Sequence, residues 1–362
     1  TRKRWQKLKK NKMHKFKTIL LLSFLLILTI GCSDNDNNID SDDDVNVDDC
    51  TYGSVQLNNQ NDVDNFINTC YDTIGILNIY GDDITNLEGL QNLTSVGTLF
   101  IHEAISLIDL NGLNNLTGTI GTVYLENNNS LINLDALENI TAVSSSLTLR
   151  SNEALTNING LENVISIGES LVIDGNEVLE NLEGLNNLLS ITESLFIQGN
   201  TALVNLNGLQ NVSSPLENDL ILNNNSSLSS LIGLQNLNSV GRNLKIWNND
   251  NLTNLDGMQN ISSVGKTLEI GNNDALTDIS SLLNTTSIGI SLDINTNDAL
   301  TNLDGLQNIS SIGNYLQIRS NDVLNDLCSI QPISNTFTGQ FTVEFNLFNP
   351  TQQDIIDGNC SQ

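Results

Sequence analysis

Residues 147–161 read LTLRSNEALTNINGL and residues 171–185 read LVIDGNEVLENLEGL, two near-copies 24 residues apart. With the first Leu of each copy as position zero, equivalents recur at Leu77, Leu99, Val123, Leu147, Leu171, Leu195, Leu220, Leu244, Leu268, Leu292 and Leu316. The gaps are 22, 24, 24, 24, 24, 25, 24, 24, 24 and 24 residues. Such regularity is the mark of a solenoid, in which one unit cannot bury its own apolar edge and stacked neighbours can.

Within a unit the apolar residues fall at offsets 0, 2, 8, 11, 14, 17 and 20, as in Leu147, Leu149, Leu155, Ile158, Leu161, Val164 and Ile167. Offsets 0 and 2 have strand period, so the residue between them points outward. The later spacing of three, with no alternation of three and four, argues against an amphipathic α-helix and for short strands and turns. Gly recurs at offset 13 (residues 112, 160, 184, 208, 233, 257 and 305), where a positive φ is expected. Offset 5 is Asn128, Asn152, Asn176, Asn200, Asn225, Asn249, Asn273, Asn297 and Asn321. A turn leaving a strand strands backbone N–H and C=O groups, and an Asn amide can satisfy both. The nine amides are therefore read as a structural ladder at the ~4.8 Å strand spacing, with ligand contact as the alternative.

The ends need covers. Val63, Phe66, Ile67 and Cys70 have helical spacing and predict an N-terminal capping helix within residues 50–76, ahead of a solenoid over 77–327. In the C-terminal cap, residues 328–362, Phe341, Val343, Phe345 and Leu347 alternate as a strand. Beyond Cys32 the cysteines are Cys50, Cys70, Cys328 and Cys360, which allow three connectivities. The local pairs Cys50–Cys70 and Cys328–Cys360 are preferred, with free buried thiols as the alternative.

Charge is divided along the chain. Residues 1–31 hold nine of the 14 Lys and Arg and no acid, whereas from Cys32 onward five bases face 42 acids. So acidic a surface repels phosphate backbones, which excludes nucleic acid as a partner. Lys15 and Lys17 precede an apolar run of 13 residues, Thr18–Ile30. As a helix this run rises roughly 20 Å, short of the ~30 Å hydrocarbon core, and reads as a signal segment rather than a span. With Gly31 and Cys32 it resembles the bacterial lipoprotein signal, which implies acylation of Cys32 and a membrane attachment through that lipid. Residues 1–12 are read as lying upstream of the true start at Met13. Residues 33–49 carry eight Asp and almost nothing apolar, and are expected to form a disordered acidic tether. That tether also resembles those of surface-displayed bacterial lipoproteins. It lacks the Gly and spaced Glu of an EF-hand loop, so calcium binding there is a minor option.

The units NVISIGESLVIDGNEVLENLEGLNNL and NISSVGKTLEIGNNDALTDISSLL resemble the receptor L-domain branch of the leucine-rich-repeat solenoids. The likeness covers about residues 50–330. It implies an all-β-rich, right-handed, parallel β-helix-like stack of 24-residue coils with disulfide-bonded caps. It also implies binding rather than catalysis.

The residues agree with that expectation. His102 is the one histidine beyond the signal, the cysteines are accounted for, and carboxylates such as Glu162, Glu183 and Asp304 fall at outward offsets. No cofactor and no metal site is read, and catalysis is not expected. Offset 1 gives Phe100, Tyr124, Thr148, Val172, Phe196 and Ile221, then Lys245, Glu269, Asp293 and Gln317. An outward apolar stripe of this kind often marks a contact site. Trp247, at offset 3, would extend it, and Arg150, also at offset 3, adds a charge. The expected partner is an extracellular protein or glycan met by a monomer on a bacterial outer-membrane surface. A stripe that only stiffens the sheet or lies under the tether, a structural spacer without a ligand, and a carbohydrate-active enzyme are the alternatives.

Overall fold

The computed structural model describes residues 51–69 and 71–362. The signal segment, Cys32, the acidic tether and the Cys50–Cys70 pair lie outside the described residues. A 13-stranded sheet runs through the described chain, and consecutive strands are parallel neighbours. Leu147 is paired with Leu171, Leu171 with Leu195, and Leu195 with Leu220, so the leucine positions share one register. Two four-stranded parallel sheets of two- to four-residue strands lie elsewhere along the same chain. The result is a β-solenoid-like stack of parallel strands.

The interior follows the apolar offsets. Leu147, Leu149, Leu155, Ile158, Leu161, Val164 and Ile167 are each at most 1% exposed. Burying a side chain of this size is worth about 1.5–3 kcal/mol, and the core repeats that gain on each pass. The spacing of three has a direct cause in i to i+3 hydrogen bonds. Leu155 N–H donates to Asn152 O (3.1 Å), Leu161 N–H to Ile158 O (3.0 Å) and Val164 N–H to Leu161 O (2.9 Å). In such 3₁₀ turns residues i and i+3 eclipse, so one apolar residue in three faces inward. Thr285 stands at one of these core positions fully buried, and its hydroxyl donates to Ile261 O at 2.8 Å.

The amides at offset 5 join one pass to the next. Asn200 is fully buried, its Nδ2 donates to Ile173 O at 2.8 Å, and its Oδ1 accepts from Asn176 N–H at 3.0 Å. The same pair of bonds is made by Asn128, whose partners are Ile101 O and Ala104 N–H. It is also made by Asn321 and, one pass later, by Asn346.

The Gly residues at offset 13 answer to contact more than to dihedral angle. Gly112, Gly233, Gly257 and Gly305 have positive φ, but Gly160, Gly184 and Gly208 do not. All seven would place a Cβ within 1.7–2.3 Å of a backbone oxygen on the preceding pass. The recurrent positive φ lies instead at offset 4, where Asn127, Ser151, Asn224, Asn248 and Asn272 turn the chain out of the strand.

The one 25-residue gap also has a visible consequence. Ser214–Pro215 falls where the Ser190–Ile191 strand would find its next partner, and Pro has no N–H to offer. The Ser214 hydroxyl bridges the gap, accepting from Ile191 N–H at 3.2 Å and donating to Ile191 O at 3.0 Å. The short-strand sheet divides into two at this point.

The ends differ in part from the sequence reading. The N-terminal segment contains a strand, Thr51–Leu57, paired in parallel with Thr73–Tyr80, and then a helix, Gln60–Phe66. Val63 and Phe66 are the buried residues of that helix, but Ile67 is 40% exposed. At the other end the strand Gln340–Glu344 adds in parallel to Tyr315–Arg319. The alternation stops there, because Phe345 takes φ 58° and turns out. Phe345 and Leu347 are 72% and 58% exposed, whereas Phe341 and Val343 pack on the core. Cys328 and Cys360 are joined by a disulfide.

Two substitutions probe these contacts. Asn200→Ala orphans a buried carbonyl and a buried N–H, and is expected to cost about 2–5 kcal/mol, against about 1 kcal/mol or less for exposed Asn163→Ala. Urea titrations followed by circular dichroism would measure both. Gly208→Ala puts a methyl 1.7 Å from Leu182 O, while nothing lies within 4 Å of a Cβ at Gly53. The first change is expected to destabilise by more than about 2 kcal/mol and Gly53→Ala to leave the melting temperature unchanged.

Candidate functional site

Odd offsets of the 13-stranded sheet point away from the core, as the alternating burial of Thr122–Glu126 and Ser170–Asp174 displays. Two columns result. Offset 1 brings Phe100, Tyr124, Thr148, Val172, Phe196 and Ile221 into successive register, followed by Lys245 and Glu269. Offset 3 carries Tyr80, His102, Glu126, Arg150, Asp174, Gln198, Asn223, Trp247 and Gly271 in the same way.

The apolar members of the first column are half-buried rather than fully displayed, and Thr148 is only 7% exposed. The cause is mutual cover across rungs. The Phe100 and Tyr124 rings meet edge to face with centroids 5.8 Å apart, an arrangement favoured by the ring quadrupoles. The column is a packed ridge.

Composition singles this face out. All six aromatic residues between positions 77 and 327 stand on it: Tyr80, Phe100, Tyr124, Phe196, Trp247 and Tyr315. Three of the five bases beyond Cys32, Arg150, Lys245 and Arg319, share it. Each base is held by acids on neighbouring rungs. Arg150 lies 3.3 Å from Asp174 and 3.8 Å from Glu126, Lys245 lies 2.6 Å from Glu269, and Arg319 lies 3.1 Å from Asp293. Among the described residues every ion pair lies on this face.

In the upper part of the face Tyr124, Glu126, Arg150 and Asp174 are linked in sequence by a hydrogen bond and ion pairs. The Tyr124 hydroxyl donates to Glu126 Oε2 at 2.6 Å. Burial, reinforced by the Glu126 carboxylate, raises the phenol's pKa far above its ordinary value. Burial also raises the Asp174 pKa, with Arg150 opposing the shift. His102 is half-buried beside Tyr80, with ring centroids 5.0 Å apart, and its Nε2 meets Asn78 Oδ1 at 3.0 Å. Burial holds its pKa below 6.5, against the pull of Glu103 and Glu126. Burial therefore favours the neutral imidazole, and Asn78 Oδ1 as the acceptor calls for the proton on Nε2.

Trp247 does not prolong the ridge. Its six-membered ring lies across Gly271 on the next rung, where a Cβ would come within 2.2 Å of ring carbon. Gly271 stands in an outward column that elsewhere carries larger side chains, and that was a signal available in the sequence. Among the described residues no three His, Cys, Asp or Glu side chains come together to hold a metal ion. A shallow groove lined by Asp64, Asn86, Glu88 and Asn114 carries no aromatic or basic side chain.

Because the folded chain favours neutral His102, the unfolded chain binds more protons between the lowered pKa and 6.5. The stability this group supplies is full above pH 6.5 and falls as pH drops through that window. His102→Gln is expected to flatten the acid side of the stability profile, and an imidazole resonance titrating below pH 6.5 would report the shift directly. No protein-family model matches the chain, and comparison with curated proteins returns no match.

Proposed function

We propose that the chain is a non-catalytic binding protein of the bacterial cell surface, lipid-anchored through Cys32. In this reading the stack is a right-handed solenoid of 24-residue coils akin to the receptor L domains. A protein or glycan partner docks on the outward face of the 13-stranded sheet, and the chain works as a monomer without a cofactor. One observation carries the reading: the aromatic residues of positions 77–327 all stand on that single face, together with most of the bases. Contact surfaces favour aromatic side chains and Arg, whereas a merely solvated face needs neither. The face is also less negative than the rest, since its acids are matched to Arg150, Lys245 and Arg319.

A structural spacer is the second reading. The burial of Thr148 and the ring contact of Phe100 with Tyr124 favour it, because a ridge that packs on itself stiffens the sheet without a partner. The two readings part under substitution. Replacing Phe100, Tyr124 and Phe196 together by Ser is expected to reduce capture of protein or polysaccharide from envelope extracts about tenfold or more. Ile108, Ile132 and Ile165, exposed at turn positions off this face, serve as the control set for the same change. Unchanged capture by the face variant, with a native circular dichroism spectrum, would leave the spacer reading standing.

A further inference from the structure

Trp247 sits in surroundings unlike those of the upper ridge. Its six-membered ring lies against Gly271 on the next rung, and the residue stays partly exposed. On the rung before it is Asn223, and on the rung after Gly271 is Asn295. Beside it the strand ends in a second row of amides, where Asn248 Nδ2 donates to Asn224 Oδ1 at 2.7 Å and Asn272 donates to Asn248. The nearby charges are spent on one another: Lys245 on Glu269, and Arg319 on Asp293, which also accepts from Asn295 Nδ2 at 2.9 Å.

One polar atom breaks this pattern of satisfaction. Asn223 Oδ1 is buried and, among the described residues, is the one buried side-chain atom without a hydrogen-bond partner. Enclosed there, the oxygen costs free energy, and a ligand can meet this amide only through its other atom, the Nδ2 donor or, with the amide turned over, the oxygen. A hydroxyl can pair with either.

From this arrangement we propose that Trp247 is the stacking platform of a subsite for a neutral polysaccharide, with Asn223 as its hydrogen-bonding partner and Gly271 as the residue that lays the ring down. The inference rests on the outward face being the contact surface, and it fixes both the place and the ligand chemistry. A sugar ring offers an apolar C–H face to the indole and hydroxyls at its rim to the amides. A peptide would instead look for an apolar pocket or an open sheet edge, and neither surrounds Trp247. An anionic glycan meets a chain with 42 acids and no unpaired cation among Lys245, Arg319 and Arg150 on this face. The strand spacing of ~4.8 Å also sets successive amides at intervals close to the length of one sugar unit.

The test uses the full chain carrying Trp5→Phe, which leaves Trp247 as the sole tryptophan. The probes are soluble β-1,3-glucan, xylan, mannan and starch, with polygalacturonate as the anionic contrast, in affinity electrophoresis and fluorescence titration. At least one neutral polysaccharide is expected to retard the protein and shift the indole emission to the blue, and polygalacturonate to do neither. Trp247→Ala should weaken that binding about tenfold or more, and Trp247→Phe should retain most of it. Gly271→Ala keeps the indole but lifts it from the sheet, so it should weaken binding with a red-shifted emission. Retardation that Trp247→Ala leaves unchanged would overturn the subsite, as would binding of polygalacturonate alone or of no polysaccharide. Loss of capture by the Phe100, Tyr124 and Phe196 variant would still uphold the face in each of those cases, so the two ideas fail separately.

Discussion

The structure depends on what happens to the backbone where each strand of the large sheet ends. There the chain turns inward, and a carbonyl and an N–H from the preceding pass are buried without a sheet partner. One Asn amide closes both, as Asn200 does between Ile173 O and Asn176 N–H. The shape of the amide sets the distance between passes, because donor and acceptor leave one planar group at fixed separation. Leucine supplies most of the free energy of burial and forbids a slip of one residue, but a slip of two would still keep alternate side chains inside. The amides forbid that slip too, since a shifted pass would leave each of them half satisfied in a place water cannot reach.

That constraint explains which features were legible in the sequence. Strand pairing could be read because two apolar positions and one Asn recur together, and both are dictated by neighbours of identical kind. Asn346 was not read as the continuation of the row, although it lies 25 residues beyond Asn321 and bonds as the others do. The alternation of Phe341, Val343, Phe345 and Leu347 suggested a longer strand and hid it. A Phe at positive φ is not something hydropathy can announce. The strand Thr51–Leu57 was obscured in a related way, because the helical spacing that follows it drew attention first.

The outward face was legible as a list and not as a surface. Sequence gives which side chains point out, while their mutual cover depends on side-chain size on adjacent rungs. Tyr124 meets the Phe100 ring edge to face and is half-buried, and Trp247 beside a Gly reaches across onto the next rung. Reading columns down the stack, in addition to residues along it, would have found the second case.

The separation of duties between inward and outward positions has an evolutionary corollary. Along a strand the outward sites lie about 7 Å apart, and across strands ~4.8 Å apart, so the face is a lattice of points with preset coordinates. A change at one point leaves the interior untouched and disturbs at most the side chains on adjacent rungs. Specificity can then drift by single letters, as on a printing block whose frame is never recast, and a descendant with a new ligand need not solve folding again.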